Sequence, residues 1–441
     1  MGAVMKRRTF LSSMQASLCL GLLGHSGKSA WANEKHIPFF DQYFNGTMSI
    51  LSGLKDTQLG LIENEMMTAY GRGKKGATIY SQISSGHFPI EETAPDRIGQ
   101  PNVMEFLPRG AKAAEYSALN SGDMVITNTI NLNNFDAMDK GVRVVAVTVN
   151  YYPFAKTPPG EGYQIEREGK ILKIEDTANV TIDSQIPWDN GLVNAPQCRP
   201  FPVLPGGGLA QAAVYWLCAA ELAGLKANRG DNSKGSWAED YIDVCLARAE
   251  KVGRDRAKYA ATGKKLAELV LAGAAWHVFG SNHALVSDAV GVANGPMITR
   301  RYKSEDVKAG DIVMIGAYTS NHAEEVAVAR DCRKKGAYVV AITPFETDDD
   351  SSGDRLYKEV DAAFNTYSPE SWGVVDLGDG DRKVCPTTGV IGDLVMWLIM
   401  ASWMEEMVKR DAPPYFWKGF FMKHGRENND RLRPYFIERG Y

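Results

Sequence analysis

The chain has 441 residues and a formal net charge of −4, long enough for two domains of ordinary size. An acidic balance argues against nucleic acid and anionic membrane surfaces as partners. The six cysteines show no CxxC spacing, so neither a zinc cluster nor a disulfide framework is indicated.

At the N-terminus, Lys6-Arg7-Arg8-Thr9-Phe10-Leu11 precedes an apolar run at Leu18–Leu23, and Ala30-Trp31-Ala32 offers a small-x-small cleavage site. Residues 1–32 read as an export signal of the twin-arginine type, with a plain secretory signal as the alternative. Leu18 is too large to precede a lipidated Cys19. The expected mature chain is periplasmic or otherwise exported and carries −8, because the removed part holds Lys6, Arg7, Arg8 and Lys28 and no acid. No later stretch is a continuous apolar run long enough to span a bilayer.

Phe39–Tyr70 has helical spacing of apolar residues and ends at the Gly71-Arg72-Gly73-Lys74-Lys75-Gly76 break. Alternating strand and helix patterns follow over 76–154, and after a second leading helix at Trp237–Leu271 the same alternation recurs over 273–346. The two stretches are copies. ATIYSQISSGHFPIEET (from Ala77) matches AAWHVFGSNHALVSDAVG (from Ala274), and in both a run of small polar residues is followed by a histidine, His87 and His283. GDMVITNTINLNNFDAMDKG matches GDIVMIGAYTSNHAEEVAVA, and both third strands close on Pro-Phe. PGGGLAQAAVYWLCAAEL (from Pro205) matches PTTGVIGDLVMWLIMASW (from Pro386), with tryptophan at the same place. Such duplication is read before anything else. It predicts an export signal at 1–32, a first domain over 33–226 and a second over 227–441, joined by the turn-rich Lys226–Ser236. Strands alternating with helices imply parallel sheets covered on both faces, with the crevice past the carboxyl ends of the strands. A hairpin is expected at Tyr163–Arg167 and Lys170–Glu175, and an amphipathic helix at Arg355–Ala363. The tail after Arg410 is aromatic and basic and is expected to wrap over a domain or a partner chain.

Loops from strand ends into helix N-termini present amide donors suited to anions or sugar oxygens. The first copy supplies Ser84, Ser85, Gly86, Thr127, Asn128 and Thr129, and the second Gly280, Ser281, Asn282, Thr319, Ser320, Asn321, Thr387 and Thr388. Proton transfer between sugar carbons needs a base and an acid. The candidates are His87 and Glu91 in the first copy and His283, His322 and Glu325 in the second. Their alternative reading is ordinary first-turn acids and structural histidines, and His277 falls on the structural side. Asp348-x-Asp350-x-Ser352-Gly353 with Glu359 has calcium-loop spacing, yet a strand enters it and Arg355 stands where such loops place an aliphatic residue, so a solvated acidic loop is the reading. No metal site and no cofactor are expected.

With these motifs laid out, the chain resembles the sugar isomerase (SIS) domain family, and within it phosphosugar-binding proteins with a GxGHS-type first loop and an SxSGxxxxxE second loop. The likeness is carried by GSNHALVSDAVGVANG, GDRLYKEVDAAF and KVCPTTGVIGDLVMWL in the second copy. It implies two tandem three-layer α/β/α domains, flavodoxin-like or Rossmann-like, on five-stranded parallel sheets that bind sugars at the strand ends. The family includes isomerases, isomerase-like synthase domains, an ether-cleaving lyase and regulators that only bind. The second-loop box departs from the pattern at Ala317, Thr319, Ser320 and His322, and at Thr127, Thr129, Ile130 and Leu132. Both phosphorylated and free sugars therefore stay open. The expected function is a carbohydrate isomerase or related proton-transfer enzyme; the alternative is a carbohydrate-binding protein without turnover. The expected partner is a small carbohydrate, with a homodimer left open.

Overall fold

The computed structural model describes residues 36–441 apart from 84–89, 109, 232, 234, 281–284, 346–352, 370–372 and 379–382. Phe39–Tyr441 forms one compact unit containing two five-stranded sheets, all of whose strand pairs are parallel. Sheet one runs Glu105–Phe106, Ile79–Gln82, Met124–Thr127, Arg143–Val147, Val180–Ile182. Sheet two repeats the order as Thr299–Arg301, Trp276–Phe279, Ile312–Gly316, Tyr338–Thr343, Ala362–Asn365. The central strands are unbroken apolar runs because helices cover both faces: every residue of Met124–Thr127 and Ile312–Gly316 is buried. The registers coincide, with Ile79 opposite Met124 and Trp276 opposite Ile312. The α/β architecture expected from the sequence is the one observed.

Two local expectations are corrected. Arg355–Ala363 is not a helix: one short turn, Leu356–Lys358, is followed by strand Ala362–Asn365. That strand completes the ladder of Tyr338–Thr343, and Asp361 Oδ2 accepts the Val339 amide at 2.8 Å. Tertiary pairing outweighs the local helical pattern here. The hairpin is present but short, Glu166–Arg167 against Lys170–Ile171, turned by Glu168 and Gly169 at φ 53° and 77°.

Each half opens on a long helical lead. The first runs Phe39–Gly53, widens to a π turn at Leu54–Gln58 and continues as Leu59–Gly73. The second is broken at Asp255 into Trp237–Arg254 and Arg256–Leu271, its start capped by Ser236 accepting the Glu239 amide. Each half closes on a helix of 21 or 22 residues, Gly207–Ala227 and Thr388–Lys409. These closing helices pack on each other and are surrounded by the leading helices. Contrary to the expectation that no later stretch could span a bilayer, the first is long and apolar enough to do so, yet it is buried inside the protein. The all-round apolar pattern thus marks a central layer.

The duplication reaches individual hydrogen bonds. Tyr43 donates to the Pro205 carbonyl at 2.9 Å and Tyr241 to the Pro386 carbonyl at 3.1 Å. Asp123 accepts the Thr78 amide and Asp311 the Ala275 amide, at 2.8 and 2.9 Å. The residues before those prolines, Leu204 and Cys385, both adopt positive φ, 59° and 61°. This conformation is uncommon for a side-chain-bearing residue. Each is held from the opposite half: Leu204 N–H donates to Asn294 O at 2.8 Å and Cys385 N–H to Gly99 O at 2.9 Å.

Removing either tyrosine hydroxyl leaves one buried carbonyl without this partner. Tyr43→Phe and Tyr241→Phe should each cost about 1–2 kcal/mol in urea unfolding. Unequal losses, with one variant unaffected, would show that the two positions are not mechanically equivalent.

Candidate functional site

The halves meet where their first helical turns face each other. In the first half this is the turn Ile90–Thr93; in the second it is Leu285–Ala289. Glu91 and Ser287 stand four residues after His87 and His283 respectively, and they bond to each other, Ser287 Oγ to Glu91 Oε2 at 3.1 Å. Glu92 and Asp288 stand one residue further on. Each carboxylate lies against the other half's closing helix at a glycine. A Cβ on Gly389 would come within 2.3 Å of Glu92 Oε1, and one on Gly208 within 2.3 Å of Asp288 Oδ2. Helical glycine is needed at both places for close approach, and a carboxylate suits the positive end of a helix.

Glu92 is completely buried. It accepts the Trp216 indole N–H at 2.6 Å and the Tyr318 hydroxyl at 2.8 Å, and pairs with Arg97 at 3.5 Å. Arg97 also donates to Thr388 Oγ1 at 2.8 Å and stacks 3.3 Å from the Tyr318 ring centroid. Burial, followed by the charge of Glu92, raises the Tyr318 phenol well above its ordinary pKa, so it remains a donor. The first half therefore sends Glu91, Glu92 and Arg97 to the carboxyl edge of sheet two.

That edge collects most of the expected residues that the structure describes. Gly280 directly follows strand Trp276–Phe279 and is half-exposed. After the second strand, Thr319 is half-buried, Ser320 is buried and Asn321 is exposed. His322 opens helix Ala323–Lys334, and its Nδ1 is hydrogen-bonded to buried Glu325, which orients the ring. Thr387 and Thr388 begin the second closing helix. The Thr387 hydroxyl meets Ser368 at 2.9 Å and accepts from Arg248, a half-buried guanidinium whose pKa burial lowers. One helix start is thus flanked by an arginine from each half. Such a cluster of hydroxyls, amides and guanidiniums can hold sugar oxygens or an anionic substituent. Glu91 is half-buried, and among the described residues its carboxylate accepts only the Ser287 hydroxyl. It is the acid best left available for proton transfer.

At the corresponding edge of sheet one, the described side chains hydrogen-bond to one another. Thr127 donates to Gln82 Oε1 at 2.9 Å, which also accepts from Tyr116, and Thr127 Oγ1 accepts the Thr129 amide. Asn128 donates to Gln211 at 3.0 Å, and Gln211 donates onward to the Thr148 carbonyl at 2.8 Å. All of these side chains are buried. The second half has Gly316 and Gly392 where the first has Asn128 and Gln211, so no matching pair of amides occupies its edge.

His87, Ser84, Ser85, Gly86, His283, Ser281 and Asn282 lie outside the described residues, as does most of the acidic loop before Gly353. His277 is buried in its strand. Burial, then the neighbouring Arg300, lowers its pKa, so at 3.5 Å from Asp311 it is neutral filler rather than one half of an ion pair. The sequence reading did not name Arg97, Tyr318, Arg248 or Asp393, and passed over Glu92 in favour of the adjacent Glu91. A signal was present for Glu92: a glycine occurs at the same place in both closing helices, and an acid follows each histidine by five. The five described cysteines are buried and free. Among the described residues no group of His, Cys, Asp and Glu could hold a metal ion.

No protein-family model matches the chain. A UPF0309 protein of Listeria innocua is 24% identical over 237 residues, 45% of this chain and 96% of the relative. Another, from Halalkalibacterium halodurans, is 28% identical over 127 residues, 26% of this chain and 49% of the relative. The first relative, matched over nearly its full length, is about as long as one half. Similar solved structures include a candidate phosphosugar isomerase from Clostridium difficile, at 8% identity and TM-score 0.49, covering 86% of this chain and 96% of that one. They also include the C-terminal domain of glucosamine-fructose-6-phosphate aminotransferase from Francisella tularensis, at 7% identity and TM-score 0.45, covering 89% and 100%. The fold assignment itself rests on the two parallel sheets.

Asp288 and Asp393 form a second buried acid pair, beside the first turn of helix Gly207–Ala227. Neither Asp393 oxygen reaches good hydrogen-bond geometry, although Trp397, Asp288 and the Leu209 amide are near. Burial raises Asp288 well above the ordinary carboxyl range and pushes Asp393 up to about 7. Through this pair the folded state holds more protons than the unfolded chain from the ordinary aspartate range up to about pH 7, and the pair's contribution to stability falls as pH rises through that window. Asp393→Asn should flatten this decline in thermal-unfolding midpoints recorded from pH 5 to 8. An unchanged slope would remove the pair as its cause.

Proposed function

We propose that the protein binds a sugar or sugar derivative at the carboxyl edge of sheet two and acts on it by proton transfer, as an aldose–ketose isomerase or related enzyme. The observation that carries this reading is the delivery of Glu91, Glu92 and Arg97 from the first half into an edge already lined by Thr319, Ser320, His322, Thr387 and Thr388. Glu92 serves as an anchor, because Trp216, Tyr318 and Arg97 already engage its oxygens. Glu91 is the base, and His322, oriented by Glu325, is the group that protonates or deprotonates a ring or carbonyl oxygen. Sheet one, closed by Gln82, Asn128 and Gln211, supplies side chains rather than a second crevice, so the expected stoichiometry is one sugar per chain. The SIS resemblance of the second copy supports the same ligand class. The basic, hydrophobic leader supports export, which would favour sugars found outside the cytoplasm.

Thermal-shift screening of the full chain against free sugars, sugar acids and sugar phosphates should reveal the ligand. Incubation of that sugar in deuterated water should then place solvent deuterium on carbon. Glu91→Gln should lose exchange by about 100-fold or more while keeping the thermal shift. Undiminished exchange in this variant would remove Glu91 as the base. Stabilisation of the unaltered protein with no exchange at all would leave binding without turnover.

A further inference from the structure

Away from the crevice, Arg199 is only 9% exposed, and no carboxylate among the described residues lies within ion-pair distance of it. Its Nη1 donates to the Cys198 carbonyl, whereas Nε and Nη2 are buried and make no hydrogen bond. Those two nitrogens form the side-on edge of the guanidinium, the fork that fits two oxygens of a carboxylate or phosphoryl group. The same protein shows the edge in use elsewhere: Arg143 holds Glu65 through Nε and Nη2, both at 2.6 Å. On Arg199 the fork is formed, has no acceptor among the described residues and is closed from solvent, so an entering anion must part the side chains over it.

The surroundings of Arg199 are cationic. Its guanidinium lies 4.4 Å from the ring centroid of Tyr415, and Arg439 approaches the same ring at 5.6 Å and its hydroxyl at 3.5 Å. Arg431 and Arg439 both lie close enough to press its pKa downward, a smaller effect than burial, which brings it to about 10. The charge therefore persists at neutral pH. Neither Arg431 nor Arg439 has a carboxylate partner among the described residues; Arg431 donates to Asn428 Oδ1 at 3.4 Å and Arg439 to the Tyr441 hydroxyl at 3.1 Å. A buried cation facing like charges is costly, and contact with one aromatic ring offsets only part of that cost. A pair of carboxylate or phosphoryl oxygens on the Nε–Nη2 edge would supply the missing countercharge.

We propose that Arg199, with Arg431 and Arg439 of the tail helix Gly425–Arg439, forms an oxyanion-binding site that grips a carboxylate or phosphoryl group by the Nε–Nη2 edge of Arg199. The site joins the first half, which supplies Arg199, to the tail of the second, so its occupant fastens that tail. It uses no residue of the sugar crevice and stands whether or not the crevice binds sugar.

The test is thermal unfolding of the full chain at constant ionic strength, with chloride exchanged for inorganic phosphate in one arm and for acetate in the other. At least one of the two should raise the midpoint by several degrees; phosphate alone identifies a phosphoryl ligand, and acetate identifies a carboxylate. Arg199→Gln should abolish the rise, and the doubly substituted Arg431→Ala, Arg439→Ala chain should weaken apparent affinity roughly tenfold or more. Those two arginines lie on an exposed helix, so the double variant keeps the fold. In chloride, Arg199→Gln should be no less stable than the unaltered chain, since it removes an uncompensated buried charge. No rise with either anion overturns the proposal, as does a rise that persists unchanged in both variants and so originates elsewhere on the chain.

Discussion

The exchange of one carboxylate between the halves organises this molecule. Glu92 and Asp288 each leave their own half and come to rest against a glycine in the first turn of the opposite closing helix. Neither contact exists unless both halves are folded and in register. A methyl group in place of either glycine's hydrogen would collide with a carboxylate that has no other place to go. The crossing backbone bonds, Leu204 to Asn294 and Cys385 to Gly99, lock the same register from the side. Electrostatics and sterics thus agree on one relative placement of the two sheets.

The two halves have diverged around that shared frame. In the first, amide side chains and a threonine close the sheet edge on themselves, leaving a satisfied and rigid polar core. In the second, glycines replace those amides and hydroxyls gather around a helix start. The two acids have diverged too. Glu92 is held by three donors, whereas Asp288 shares its surroundings with Asp393 and has no cationic partner among the described residues. Duplication supplied two equivalent positions, and their chemistry then separated into an anchor and a proton-holding pair.

Much of the architecture was legible because long apolar runs and matched loops carry strong periodic signals. Both sheets, the leading and closing helices and the duplication follow from such runs. The edge strands Glu105–Phe106, Thr299–Arg301 and Ala362–Asn365 do not, since two to four residues hold no period and their conformation is set by the neighbouring strand. Of the candidate edge, Thr319, Ser320 and His322 after one strand and Thr387 at a helix start were named from sequence because turn residues at strand ends stand out. Its cross-half members were not, because Arg97 and Thr388 are separated by 291 residues and only the folded interface brings them together. Arg199 is a harder case. A lone arginine between prolines gives no hint that it will be buried, and the tail that covers it begins more than two hundred residues later.

The central pair of closing helices has a consequence for how the chain comes into being. Helix Gly207–Ala227 is apolar around its whole circumference, and the second leading helix and second closing helix that cover part of it are synthesised after it. During synthesis the nascent first half must carry an apolar helix covered only by its own leading helix, a target for chaperones and for wrong association. A gene split at the linker would strip each closing helix of the apolar surface that the other half lays against it.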